Sequence, residues 1–170
     1  MKDTKTLTTL QQTTLVMLRF LIGWHLLYEG IAKLLNPSWS SAGFLIESKW
    51  VLSGFSDWVI SNSGVLHVVD FMNTWGLIAI GAGLIVGLFT RIAAISGAFL
   101  LFMYYLNNPP LIGLEYIMPS EGNYLIINKT LIETVALLIF VFFPTGSIVG
   151  MDVFIDRFKI KIKSLRKETS

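Results

Sequence analysis

The chain has 170 residues, the length of one ordinary domain. Hydrophobic residues make up 54% of it and aromatic residues 13%, while charged residues make up only 14%, against about 25% in a soluble domain. With 12 Phe and 5 Trp, a soluble core cannot hide this much apolar surface. Lipid is therefore the expected solvent, and the composition argues against a disordered protein, a soluble enzyme or a nucleic-acid partner. Cysteine is absent, which excludes disulfides, thiolate nucleophiles and iron–sulfur ligation on this chain. His25 and His67 are the only histidines, so no His-rich metal site is expected.

Residues 1–13 are polar. The first apolar run covers Thr14 to Leu35 and is long enough to cross a hydrocarbon layer of about 30 Å. It carries Arg19, Glu29 and Lys33 and lacks a following small-residue cleavage site, so it does not read as a cleaved signal. Asn36-Pro37 ends it. Residues 36–64 are too polar to span and too aromatic to float free, which predicts helical pieces lying at the membrane surface. The second span runs from Val65 to Leu88, with Gly83 and Gly87 as a GxxxG pair for close helix approach. A tight link at Phe89-Thr90-Arg91 leads to the third span, about 90–106, which Asn107-Asn108-Pro109-Pro110 stops. The fourth runs from Tyr124 to Phe143.

The expected fold is thus an all-α integral membrane four-helix bundle, one domain over 1–170, with a long outer loop of short interfacial helices. Four spans put both termini on one side. The tail, residues 152–170, holds Arg157, Lys159, Lys161, Lys163, Arg166 and Lys167, and the second link holds Arg91. The other two loops hold Glu47, Asp57, Glu115 and Glu121 against one Lys49. The positive-inside rule then predicts cytoplasmic termini. The basic tail is expected to rest on the anionic inner leaflet.

Ionisable residues inside spans are expensive, roughly 2.5–3.5 kcal/mol each at a helix centre, and mark functional sites. Arg19, Ile22, Leu26, Glu29 and Lys33 form one stripe of the first helix; Lys129, Glu133, Ala136, Leu137 and Phe140 form one of the fourth. By helical rise, Glu29 and Lys129 lie about 6 and about 7 Å to the outer side of their helix centres. They are level, which predicts a Glu29–Lys129 ion pair between facing helices, with Glu133 near mid-depth beside His25 and with Arg19 reaching up toward Glu133. Three cations against two anions leave one spare positive charge, suited to an anionic ligand or to the head of a quinone. A purely structural alternative stays open: Lys33 snorkels outward, Arg19 inward, and Glu29 pairs locally with Lys33.

His25 is a candidate proton relay, or a packing histidine held by hydrogen bonds. Trp24, Tyr28, Tyr104, Tyr105 and Tyr124 read as interfacial belt residues, with Tyr28 and Tyr124 near the cluster. Asp70 either joins the cluster or faces water.

These residues resemble a known family. The run from Arg19 to Lys33, with Arg19, Gly23, Gly30 and Lys33 in register, is similar to the opening helix of the DoxX/DoxD family. Gly81 to Arg91 resembles its glycine-rich second helix and Thr-Arg turn. Asn123 to Leu137 resembles its fourth helix, with Glu133 as the acidic residue, and Gly150-Met151-Asp152 resembles the Gly-x-Asp that follows. The likeness covers about 150 residues, and the long Trp-containing first loop looks more like the DoxD branch.

The resemblance implies a four-helix membrane bundle in a bacterial or archaeal cytoplasmic (inner) membrane, and a possible role as a subunit of thiosulfate:quinone oxidoreductase. On that reading quinone is the cofactor, Glu133, Glu29 and His25 carry the proton chemistry, and Arg19, Lys33, Lys129, Tyr28 and Asn128 bind the head, with no metal. The bilayer is one partner, and a second subunit or a second copy is another. The alternative is a non-enzymatic membrane scaffold, assembly factor or lipid-binding protein. Four short spans without a repeat argue against a transporter.

Overall fold

A computed structural model describes residues 7–117, 124–143, 145–155 and 157–158. They form α1 (Thr9–Leu34), α2 (Ala42–Leu45), α3 (Ser53–Ser61), α4 (Ser63–Val86), α5 (Thr90–Asn107) and α6 (Lys129–Phe142), with a 3-10 turn at Thr145–Ser147. Among the described residues there is no strand, only an isolated bridge between Tyr124 and Ile127. The basic tail beyond residue 158 lies outside the described residues.

α1 starts five residues before the predicted span because Thr8 and Gln11 form a capping box, each side chain on the other's backbone N–H. α2 and α3 are the helical pieces expected of the first loop. α6 starts five residues later than predicted. Residues 124–127 are a tight turn with Leu125 at φ +61°, and Asn128 Oδ1 caps the helix by accepting from Leu131 N at 2.9 Å. α6 is therefore about 21 Å long at 1.5 Å per residue. α1 and α4 are the two helices long and apolar enough to cross a membrane.

α1 packs along α4 and α5 along α6, while α1 and α6 meet at few places. Glycines set the first pairing. A Cβ on Gly81 would stand 2.7 Å from the Gly23 carbonyl oxygen and 2.8 Å from Leu27 Cα, and one on Gly30 would stand 2.7 Å from Ile78 Cγ1. The two backbones touch where a side chain would hold them apart. The predicted Gly83–Gly87 pair has another use. Gly87, at φ +69°, ends α4 in the left-handed conformation, and its N–H reaches Gly83 O.

Ile22 and Leu26 of α1, Leu77, Ile80 and Leu84 of α4, Ala94, Ala98 and Leu101 of α5, and Leu137 and Phe140 of α6 make one core. The outward faces keep Phe20, Trp24, Phe71, Met72, Trp75, Ile95, Phe99, Ile132 and Val135 exposed. Apolar patches beyond a few hundred Å² mark interaction or membrane surfaces.

Replacing Gly81 with valine should lower the thermal midpoint in mild detergent, since overpacking a tight contact costs about 1–3 kcal/mol. Gly76→Ala, where nothing lies within 4 Å of the added carbon, should hold or raise it. Equal midpoints for Gly81→Val and the parent would contradict the packing described.

Candidate functional site

The sparse contact between α1 and α6 leaves a cavity of about 190 Å³. Its polar lining is His25, Glu29 and Lys33 from α1, Tyr104 from α5, and Lys129, Thr130 and Glu133 from α6; Leu26, Leu77 and Leu101 make the apolar wall.

The two helices run antiparallel. Arg19, early in α1, meets Thr145 beyond the end of α6, whereas His25 meets Lys129 and Glu133 near its start. In a helix each Cα–Cβ bond tilts toward the N-terminus. On α1 that carries Arg19 away from the His25 level, toward Thr145 and Val149.

His25 joins the two helices. Lys129 Nζ lies 3.1 Å from its Nε2, and Glu133 Oε1 lies 3.0 Å from its Nδ1. The second contact is close but poorly aligned as a hydrogen bond, since Nδ1 has no well-formed partner. Lys129 and Glu133 thus stand on opposite nitrogens of one imidazole, a linear arrangement of three groups that can each exchange a proton.

Lys33 occupies the other end. Its Nζ donates to Asn73 Oδ1 at 2.9 Å, and it stands 5.0 Å from the Trp39 ring centre and 5.4 Å from that of Tyr104. Such cation–ring contacts favour an ammonium, and Glu29 in the same lining adds its opposite charge. Trp39, from the first loop, thus roofs this end.

Several predicted site residues lie elsewhere. Arg19 is 3% exposed and donates to Thr145 Oγ1 at 3.1 Å and to Val149 O at 2.7 Å. It points away from Glu133, along the N-terminal tilt of side chains on α1. The predicted Glu29–Lys129 pair does not form: Lys129 is on His25, although Glu29 shares the cavity. Asn128 spends its side-chain oxygen on the cap of α6. Tyr28 is 61% exposed and Tyr124 72%, both turned away from the cavity. Asp70 neither joins the cluster nor faces water alone, since it accepts from Ser41 N at 2.7 Å and from Ser41 Oγ.

Removing Arg19 changes the charge count. Lys33 and Lys129 now face Glu29 and Glu133, so with neutral His25 the lining has no spare charge. Arg19 belongs to a second polar cluster at the far end of the bundle. There the Asp152 carboxylate accepts from Phe89 N at 2.7 Å and Thr90 N at 3.0 Å, capping α5 and supporting Phe89 at φ +49°. A Cβ on Gly150 would stand 2.8 Å from Gly87 Cα, so the two chain segments lie in direct contact.

Sequence reasoning assigned Tyr104 to the belt and missed Asn73 and Thr130. The signal for Tyr104 was available: Ala94, Gly97, Ala98, Leu101 and Tyr104 share one face of α5, and small residues mark that face as inward. Among the described residues no group of three acidic, His or Cys side chains is placed to hold a metal ion. No family model, curated protein or solved structure matches the chain.

Arg19→Met should lower the thermal midpoint, because a hydrogen bond from a charged group contributes about 1.5–3 kcal/mol and two would be lost. Arg19→Lys should recover only part, since one ammonium lacks the guanidinium fork. A stability unchanged in Arg19→Met would contradict the tethering role.

Proposed function

We propose that this chain is a DoxX/DoxD-like multi-pass protein of a bacterial or archaeal cytoplasmic membrane, with α1, α4, α5 and α6 as its four crossings and both termini in the cytoplasm. We further infer that the cavity between α1 and α6 binds the head of a lipid-soluble quinone in an oxidoreductase subunit. The observation that carries this reading is the Lys129–His25–Glu133 chain in the wall of a charge-balanced cavity.

The apolar coat of the four long helices and the aromatic first loop support the membrane reading. At about 21 Å, α6 is short for a crossing of about 30 Å. Each flanking segment is tied to the rest of the chain, although residues 124–127 keep their side chains exposed. Thr145 is buried under Arg19, and Tyr105 Oη donates to Ile126 O at 2.8 Å.

The residues present suit a quinone head. A cavity of about 190 Å³ falls below the roughly 300 Å³ at which pockets for drug-sized ligands begin, so it admits a ring and not a long tail. Equal numbers of lysines and glutamates suit a neutral head better than an anionic one, which weakens the alternative of a phospholipid-binding scaffold. A bound quinone would supply two-electron acceptance coupled to proton uptake. Lys129 and Lys33 would donate hydrogen bonds to its oxygens, and Leu26, Leu77 and Leu101 would line its ring. Glu133 and His25 would hold and pass protons at His25 Nδ1 and Nε2. With no cysteine on the chain, the electrons would come directly from a small reduced substrate, such as a sulfur oxyanion, or through a second subunit.

Glu133→Gln keeps the shape and removes the acid. In membranes supplied with a short-tailed quinone and a reductant such as thiosulfate, it should slow quinone reduction by about 10²–10⁴-fold, the usual contribution of a general acid or base. Far-ultraviolet circular dichroism should stay that of the parent. Parental turnover in this variant would remove the proton role from Glu133.

A further inference from the structure

We propose that residues 36–41 form a lid over the Lys33 end of the cavity, latched by Asp70, and that its opening admits a small water-soluble substrate from the side of the first loop. The identity of that substrate as a reductant rests on the oxidoreductase reading; the lid rests on contacts alone.

The segment has a fixed local shape. Asn36 Oδ1 accepts from Ser38 N at 3.2 Å and from Ser38 Oγ at 2.8 Å, and Asn36 O accepts from Trp39 N at 3.0 Å. Side-chain turns of this kind set the backbone around them. Trp39 and Ser41 then tie the segment to the helices. The Trp39 ring centre stands 5.0 Å from Lys33 Nζ, in the last turn of α1. Asp70 Oδ1, on α4, accepts from Ser41 N at 2.7 Å and from Ser41 Oγ. Ser41 is 4% exposed, whereas residues 34–38 are exposed. With Trp39 two residues from Ser41 in a shaped turn, releasing Ser41 from Asp70 frees the ring from Lys33.

One stripe of α4 orders the layers. Asp70, Asn73 and Leu77 follow 3–4 spacing. Asp70 holds Ser41, Asn73 Oδ1 accepts from Lys33 Nζ at 2.9 Å one turn further in, and Leu77 belongs to the cavity wall. Latch, ammonium and wall thus succeed one another from the loop inward. When Trp39 lifts, Lys33 is the first cavity group that water meets. Exposed segments held by few contacts open at a small fraction of the global unfolding free energy, which suits a lid better than a fixed wall. A lipid-soluble head and a polar reductant would then reach one cavity by separate ways.

The test labels the full chain in mild detergent with sulfosuccinimidyl acetate, a small water-soluble amine reagent, and follows each lysine by peptide mass spectrometry. Lys49, exposed on the same loop, is the internal standard. In the parent, Lys33 should react more slowly than Lys49. Asp70→Ala should speed the labelling of Lys33 about 12–160-fold, the worth of hydrogen bonding to a charged group, up to the rate of Lys49. Ser41→Ala, which keeps the backbone bond, should speed it about 2–12-fold. Asp70→Asn, which keeps an oxygen acceptor, should stay nearer the parent than Asp70→Ala does. Should Asp70→Ala not fold, Ser41→Ala and Trp39→Ala decide: both must speed labelling at Lys33 and leave Lys49 unchanged. Parental labelling of Lys33 in Ser41→Ala and Asp70→Ala would overturn the latch, and in Trp39→Ala the lid itself. Labelling needs no quinone, so either failure would leave the quinone reading standing.

Discussion

The rest of the structure depends on the glycine seam between α1 and α4. Gly81 meets the backbone of α1 at Gly23 and Leu27, and Gly30 meets α4 at Ile78. Backbones in direct contact leave little freedom in the distance between these helices. α5 packs against α6 in its own right, with Gly97 admitting Leu137 and Ile80. α1 is thus committed to α4, and the space between α1 and α6 stays partly open. That gap becomes the cavity, and the charged residues that face it are the ones α1 and α6 carry on their inward stripes.

The chain uses its inward-facing charges in two ways. At one end Arg19, Thr145, Val149 and Asp152 tie the segment after α6 to the α4–α5 turn, with the guanidinium and carboxylate spent on backbone and hydroxyl partners. These are fixed contacts that favour one arrangement. At the other end Lys129 and Glu133 share His25, a group able to change its proton.

Much of the fold was legible in the sequence. The four apolar runs, the two short helices of the first loop and the breaks at Asn36-Pro37 and Asn107-Asn108-Pro109-Pro110 follow from composition and turn chemistry. The start of α6 was misplaced because residues 124–127 are as apolar as a helix, and hydropathy alone cannot see that Leu125 turns left-handed. The two stripes hold Leu26, Glu29, Lys33, Lys129 and Glu133, all of which line the cavity, and His25 was the relay candidate beside them. Their pairing was not legible. Level positions suggested Glu29 with Lys129, but helical rise fixes depth and not direction, and a long side chain reaches along its own tilt. Arg19 shows the same error more plainly. Tyr104 escaped because an aromatic near a helix end reads as interfacial until the neighbouring helices are placed. The glycine pair was read by motif spacing, whereas Gly81 is the residue that meets the other helix.

The claim that the α1–α6 cavity holds the head of a lipid-soluble quinone is tested most directly by what the protein carries from its own membrane. The full chain, purified in mild detergent, would be extracted with organic solvent and the extract resolved by mass spectrometry, alongside Glu133→Gln. The account expects quinone near one per chain in the parent and less in Glu133→Gln. Phospholipid alone, or no quinone in the parent, would contradict it.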